Sequence, residues 1–439
     1  MTPSLLGFLA FGALGLLLAL RNQIAPAVAV VAVGGLAVIE PLIGHGLGQT
    51  VTDMSAMLRE LLRLETVMIV ALFIMLGNLA FYAGISTRIY DASAVWLRHV
   101  PGGLAMASVL GCGGFAAISG SSVACATTMG RICVPEMLRQ GYDARLATSA
   151  VAVGGTLGAL IPPSLLFVFY GLLADLPIAR LFIAGILPGL VSLAAMLLAI
   201  LWWVAEEPDI APVPRQPARA SRLQATIALW PPALLFLVLI AGLFRGFLTP
   251  VSAAGICVVL VALIGLWQGR LSVQHLWLVL RETAGQTLMA LALLVAARLF
   301  MGFIQLAGTD QAMVGLAHAM GLSSLTVVAL CAIICLILGM FIEPMGILAL
   351  TLPLLLPLVQ AYEMDPIWFG VILVKLLEIA LITPPVGLNV FVISGVTRGT
   401  GLGVVYHGVA RFLMLDLLVL VVLILFPALS TLLPAAMGH

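Results

Sequence analysis

Charge is what this sequence has least of. Only 19 Lys and Arg and 18 Asp and Glu occur among 439 residues, 8% of the chain. A water-facing surface is about one quarter charged, so this composition excludes a soluble domain. The basic residues are few and scattered, which leaves nucleic-acid binding without support. No GxxxxGK[ST] loop occurs, so the chain does not itself hydrolyse ATP, and no HExxH pair marks a zinc peptidase. The six histidines lie mainly in connections or near the ends of apolar segments, none beside a serine partner, which argues against an intramembrane serine protease. Six cysteines fall within or at the ends of apolar segments. Cys331 and Cys335 share a helix face, but no His or carboxylate accompanies them, so they read as small residues at a helix interface.

What remains is apolar. Hydrophobic residues make up 63% of the chain and mean hydropathy is +1.24. The fold class is therefore an all-α polytopic membrane protein, read in spans of about twenty residues. Candidate spans are 4–20, 24–44, 64–84, 181–204, 226–244, 251–267, 283–308 and 406–433. The amino terminus lacks a basic lead and a small-residue cleavage site, and reads as a retained first span. Glu206 to Gln224 is the only water-loving run, punctuated by four prolines, and predicts an extramembrane linker over 206–225.

Two apolar stretches break where a spanning helix should not. The first breaks at Ser119-Gly120-Ser121-Ser122, inside a stretch read as a hairpin, 103–130. The second breaks at Gly154 to Pro163, inside a broken helix, 147–174. Glycine and proline release backbone groups from the helical ladder, and a bilayer tolerates these only where protein, ions or water satisfy them. A second hairpin, 324–360, and a second broken helix, 366–396, occur later in the chain.

The two sets are copies. Gly84 and Gly308 stand 224 residues apart, as do Ser119 and Glu343. Asp143 and Asp365 stand 222 apart, as do Pro162 and Pro384. If the hairpins re-enter without crossing, five spans separate the start of the first copy, near residue 64, from the start of the second, near 283, and an odd number inverts the second. That is an inverted-topology repeat with its site between the halves. On the same count twelve arginines face one side and Arg59, Arg63, Arg180 and Arg245 the other, which places the first group in the cytoplasm and both termini outside. The units are 1–63, N-terminal scaffold spans; 64–205, the first repeat; 206–225, the linker; 226–282, scaffold spans; and 283–439, the second repeat. Each repeat carries a weakly amphipathic arm ahead of its hairpin, 86–99 and 309–320, suited to the membrane surface.

The breaks carry the chemistry. Hydroxyls at Ser119, Ser121 and Ser122, with freed carbonyls, are hard oxygen ligands suited to a small monovalent cation such as sodium. Half-helix N-termini present amides to an anion. The second tip, Glu343-Pro344-Met345-Gly346, has a carboxylate instead. Paired prolines at 162–163 and 384–385 interrupt helical bonding, with Thr156, Ser164, Thr383 and Asn389 nearby. Intramembrane ionisable residues must face protein or water. Lys375 and Glu378, three apart, suit mutual neutralisation, with proton coupling or a grip on a carboxylate as alternatives. Arg298 suits pairing with an acidic residue. Glu65 and Arg411 lie near membrane edges.

These residues resemble the large membrane subunit of tripartite ATP-independent periplasmic (TRAP) transporters, from about Leu76 to Gly395. The most specific pieces are Pro101-Gly-Gly-Leu104, Phe115-Ala-Ala-Ile-Ser-Gly-Ser-Ser-Val-Ala124, Gly155-Thr-Leu-Gly158 with Ile161-Pro-Pro-Ser164, and Ile382-Thr-Pro-Pro-Val-Gly-Leu-Asn389. The resemblance implies a sodium-driven importer of organic acids in a bacterial inner membrane, needing no cofactor beyond sodium as coupling ion. Its partners would be a small four-helix membrane subunit and a periplasmic substrate-binding protein. It further implies an elevator motion, both hairpins and both broken helices crossing on a fixed scaffold. Three positions depart from the family pattern: Glu343 where Asp is usual, Leu376 for Asn, and Ala380 for Gly. The expected sodium ligands are Ser119, Gly120, Ser121, Gly158, Pro162, Glu343, Gly346, Thr383 and Pro384, many through carbonyls. Ser122, Thr156, Ser164 and Asn389 are candidates for touching the substrate. A carboxylate carrier without a binding protein, a passive channel and a membrane enzyme remain as alternatives, the last lacking a catalytic constellation.

Overall fold

A computed structural model of the protein describes residues 3–20, 23–42, 47–212, 221–397 and 399–437. Every regular element among them is a helix. Among the described residues, eight helical stretches are long and apolar enough to cross a membrane, including Leu64–Tyr82, Ala144–Ala174, Val273–Leu306 and Leu402–Leu425. Residues 213–220 of the expected linker lie outside the described residues. The end of that linker is helical: Arg222–Ile227 forms a short helix opened by a capping box from Ser221 and Gln224.

Both hairpins are helix–turn–helix units. The first pairs Gly103–Ser119 with Ser122–Arg139, and the second pairs Ser324–Gly339 with Pro344–Ala361. Both broken helices are interrupted at their proline pairs. Ala144–Gly154 and Leu157–Leu160 precede the first break and Leu165–Ala174 comes after it. Pro366–Ala380 precedes the second and Leu388–Val396 comes after it. The Pro162–Pro163 and Pro384–Pro385 bonds are both cis.

The repeat persists in backbone detail. Gly84 and Gly308 both adopt left-handed geometry (φ 68° and 63°), turning the chain into the arms Ile85–Leu97 and Thr309–Ala319. Asp143 and Asp365 both cap the first half of a broken helix, accepting hydrogen bonds from the amides of Arg145 (2.7 Å) and Ile367 (2.7 Å). At the turn before each cap, Gly141 has φ 85° and its counterpart Glu363 has φ 51°. A left-handed L-residue costs about 1–2 kcal/mol, partly offset by the chain entropy a glycine loses on folding. Glu363→Gly is therefore expected to stabilise the protein by about 0.5–1 kcal/mol, and thermal unfolding of the purified protein in detergent checks it. An unchanged or lower midpoint would mean that the turn is not strained.

The two copies interlock. The long helix Val273–Leu306 of the second repeat lies against Ile24–Leu42 and Leu64–Tyr82, where Asn78 donates to Thr283 Oγ1 (3.1 Å) and Gln286 Oε1 (3.2 Å). Pro344–Ala361 of the second hairpin packs on Leu165–Ala174 of the first broken helix, and Leu388–Val396 packs on Ser122–Arg139. Each hairpin is thus braced by the other copy's broken helix.

Three local differences from the expected spans have simple causes. Residues 406–433 form two helices, Leu402–Leu425 and Ala428–Ala435, because Pro427 lacks the amide that would continue the first. Residues 181–204 fall within Ile178–Ala184 and Ile186–Glu206, which meet at Gly185; a side chain there would collide with the Leu160 carbonyl. Leu47–Leu61 is a helix between the second and third expected spans. It is amphipathic rather than continuously apolar, so counting apolar runs passes over it.

Candidate functional site

The first tip and the first break close on each other because glycine stands at both contacts. A Cβ on Gly158 would lie 2.8 Å from the carbonyl carbon and oxygen of Ser121 and from the amide nitrogen of Ser122. A Cβ on Gly120 (φ 63°) would lie 2.7 Å from the Pro163 carbonyl oxygen. The Leu165 amide donates to the Gly120 carbonyl at 3.2 Å, tying the start of the second half-helix to the tip. Ser119, Gly120, Ser121 and Gly158 are thereby brought together, with Pro162 next to the Pro163 whose carbonyl meets Gly120. Ser121 caps its helix, accepting from the Ala124 amide at 3.4 Å. The Ser119 hydroxyl is buried and has no hydrogen-bond partner among the described residues. Such groups are rare, since an unmet buried hydroxyl costs about 1–3 kcal/mol. An orphaned hydroxyl amid freed carbonyls suits a hard cation.

The four residues expected to touch substrate are all buried. Ser122 donates to the Thr156 carbonyl (3.3 Å), Thr156 to the Val153 carbonyl (2.7 Å), and Ser164 accepts from the Phe167 amide (3.2 Å). Asn389 Nδ2 donates to the Ala152 carbonyl at 3.2 Å, joining the second broken helix to the first, while its Oδ1 has no partner among the described residues.

The second tip is arranged differently. Glu343 immediately precedes Pro344–Ala361, without a capping bond from its side chain, and lines a cleft of about 950 Å³, together with Ser119 and Ser121 of the first tip. Gly346 packs on Ile24, where an added Cβ would fall 2.6 Å from the Ile24 Cδ1. Thr383 and Pro384 are not among the residues lining that cleft; the Thr383 hydroxyl donates to the Ile379 carbonyl at 2.7 Å. Tyr406 donates to the carbonyls of Pro385 and Val386. The Ala380 methyl is accommodated by Gly339 on the facing hairpin arm, where any side chain would collide with it.

The cleft also holds groups that the sequence did not single out. Thr127, Thr128, Arg131, Asn78 and Gln286 line it. The visible signal is the spacing of 124, 127, 128 and 131 along one face of Ser122–Arg139. Span counting instead places Arg131 among the twelve arginines of the cytoplasmic side.

The intramembrane charges at the second broken helix have partners. Lys375 Nζ lies 2.7 Å from Asp416 Oδ1 and 3.6 Å from Glu378 Oε2, all three side chains buried. Asp416, from Leu402–Leu425, is the neighbour that the sequence did not offer. Arg298 pairs with Asp175 (2.8 Å) and donates to the Leu173 carbonyl (2.9 Å). Arg411 pairs with Glu206 and Glu207, and Arg145 with Asp143 and Glu207.

Interlocked hairpins and broken helices, closing on a mid-chain cluster of backbone carbonyls and hydroxyls, define the build of a multi-pass membrane transporter. The chain matches the family model of the tripartite ATP-independent periplasmic transporter, DctM component, over residues 11–429, and it belongs to that family. It is 34% identical over 374 residues to the C4-dicarboxylate TRAP transporter large permease protein DctM of Pseudomonas aeruginosa, spanning 85% of this chain and 87% of that protein. It is 28% identical over 373 residues to the sialic acid TRAP transporter large permease protein SiaM of Vibrio cholerae, spanning 84% and 86%. Among solved structures, MtrF of Neisseria gonorrhoeae aligns with a TM-score of 0.61 at 13% identity, over 87% of this chain and 84% of that one. That likeness concerns the fold alone.

Proposed function

We propose that this chain is the permease component of a secondary importer that uses a sodium gradient to carry an organic acid across the bacterial inner membrane. The observation that carries the reading is the orphaned Ser119 hydroxyl, enclosed where Gly158 and Gly120 let the tip and the break touch. Sodium would be held there by Ser119, Gly120, Ser121, Gly158 and Pro162. A second ion would be held by Glu343, Gly346, Thr383 and Pro384. Ser122, Thr156, Ser164 and Asn389 would stand against the substrate, Asn389 also tying the second broken helix to the first. The named relatives carry a C4-dicarboxylate and sialic acid, both carboxylates, which supports an acid as cargo. A small four-helix membrane subunit and a periplasmic binding protein would complete the assembly, the latter making the first selection of substrate. The spans of 1–63 and 226–282 form the scaffold, and the hairpins and broken helices move against it as an elevator. Because a gradient supplies the direction, the two end states need only comparable energies.

The test is uptake into proteoliposomes containing both membrane subunits and the cognate binding protein, with and without a sodium gradient. Accumulation that requires sodium supports import, and equilibration without it would point to a passive channel. Ser119→Ala and Thr383→Ala are each expected to shift half-activation to higher sodium, with normal membrane levels. A sodium curve unchanged in both variants would sink the ligand assignment.

A further inference from the structure

We propose that Arg131 binds the carboxylate of the transported acid. The proposal rests on the import reading and adds to it the residue that meets the cargo.

Arg131 lies on Ser122–Arg139, the helix whose N-terminus is the first tip. Ala124, Thr127, Thr128 and Arg131 succeed one another at helical spacing and line the same cleft as Ser119 and Ser121. The helix rises 1.5 Å per residue, so Arg131 stands about 15 Å along the axis from Ser121. A helical side chain leans toward its helix's N-terminus, which here is the tip.

Its guanidinium is exposed to the cleft and has no ion pair or hydrogen bond among the described residues, whereas Arg145, Arg298 and Arg411 are all paired with carboxylates. Among the described residues, the other charged one lining the cleft is Glu343, on the second tip, and the two do not pair. A cation with five donors, facing a cleft of about 950 Å³ within an apolar protein, is a ready receptor for an anion. Its planar fork matches a carboxylate bidentately. Thr127 already donates its hydroxyl proton to the Val123 carbonyl at 2.7 Å, so the helix face offers the anion few donors besides Arg131. An acid held there would lie on the same face as the proposed sodium ligands. Cation and cargo would then share one space, each lowering the cost of holding the other.

Lipid phosphate shares this chemistry, and the experiment separates the two sources. Wild type, Arg131→Lys and Arg131→Gln are reconstituted with the small subunit and binding protein, in phosphatidylcholine with and without phosphatidylglycerol. Uptake is measured with whichever of radiolabelled succinate or N-acetylneuraminate the wild type accumulates. Loss of a charged hydrogen bond is expected to raise KM roughly ten- to a hundredfold in Arg131→Gln. Arg131→Lys should recover part of the loss, and half-activation by sodium at saturating substrate should stay unchanged. Unfolding midpoints near that of the wild type show that the variants fold. A wild-type KM in Arg131→Gln overturns the proposal, as does a defect that tracks phosphatidylglycerol content. Sodium-independent accumulation by the wild type would overturn the import reading instead, while the KM series would still decide the role of Arg131.

Discussion

Gly158→Ala is expected to lower sodium-driven uptake by roughly tenfold or more, on an overpacking cost of about 1–3 kcal/mol. The added methyl would stand 2.8 Å from three backbone atoms of the first tip. Backbone gives way less readily than a flexible side chain, so the tip must move, and with it the carbonyls that face the break. Gly113→Ala in the same hairpin is the control. There the nearest atom to a new Cβ is Leu157 Cδ1 at 3.5 Å, an ordinary contact, and uptake should stay within about twofold, since alanine also favours the helix. Initial rates normalised to reconstituted protein decide the matter. Wild-type rates and sodium dependence in Gly158→Ala would show that tip and break need not touch.

Asp416→Asn should be the most destabilising polar substitution in the chain, at about 3–5 kcal/mol. It takes the negative charge from the 2.7 Å partner of a fully buried ammonium and leaves only Glu378, at 3.6 Å, as a counter-charge for Lys375. The triple variant Lys375→Met, Glu378→Met and Asp416→Leu should recover most of the loss, because exchanging a whole buried ionic group for apolar side chains is often neutral or better, whereas removing Lys375 and Asp416 alone would strand Glu378. Thermal unfolding of the purified protein in detergent reads both. A midpoint for Asp416→Asn equal to that of the wild type would mean that Lys375 finds another partner or loses its charge.

Much of this architecture was legible because a bilayer constrains sequence severely. Apolar runs report spans, and a glycine or proline pair inside one reports a break. Chain offsets then exposed the repeat, down to Gly84 with Gly308 and Asp143 with Asp365. The pairing of Arg298 was foreseen in kind, though not its partner Asp175. For Lys375 the sequence offers Glu378 as a neighbour but not Asp416, which is 41 residues away and is brought to it only by packing of Leu402–Leu425 on Pro366–Ala380. Helix Leu47–Leu61 escaped because an amphipathic segment does not register in a count of apolar residues.

The candidate site was legible in its ingredients and not in its assembly. Composition and breaks alone determined a multi-pass helical protein, its doubling, and where main-chain groups are left without helical partners, since these depend on local chain chemistry and on lipid as solvent. Only the tertiary structure decided which freed groups meet. Gly158 against Ser121, Gly120 against Pro163 and Arg131 on the cleft wall are contacts between segments distant along the chain or turned by helix phase, and side-chain packing alone sets them.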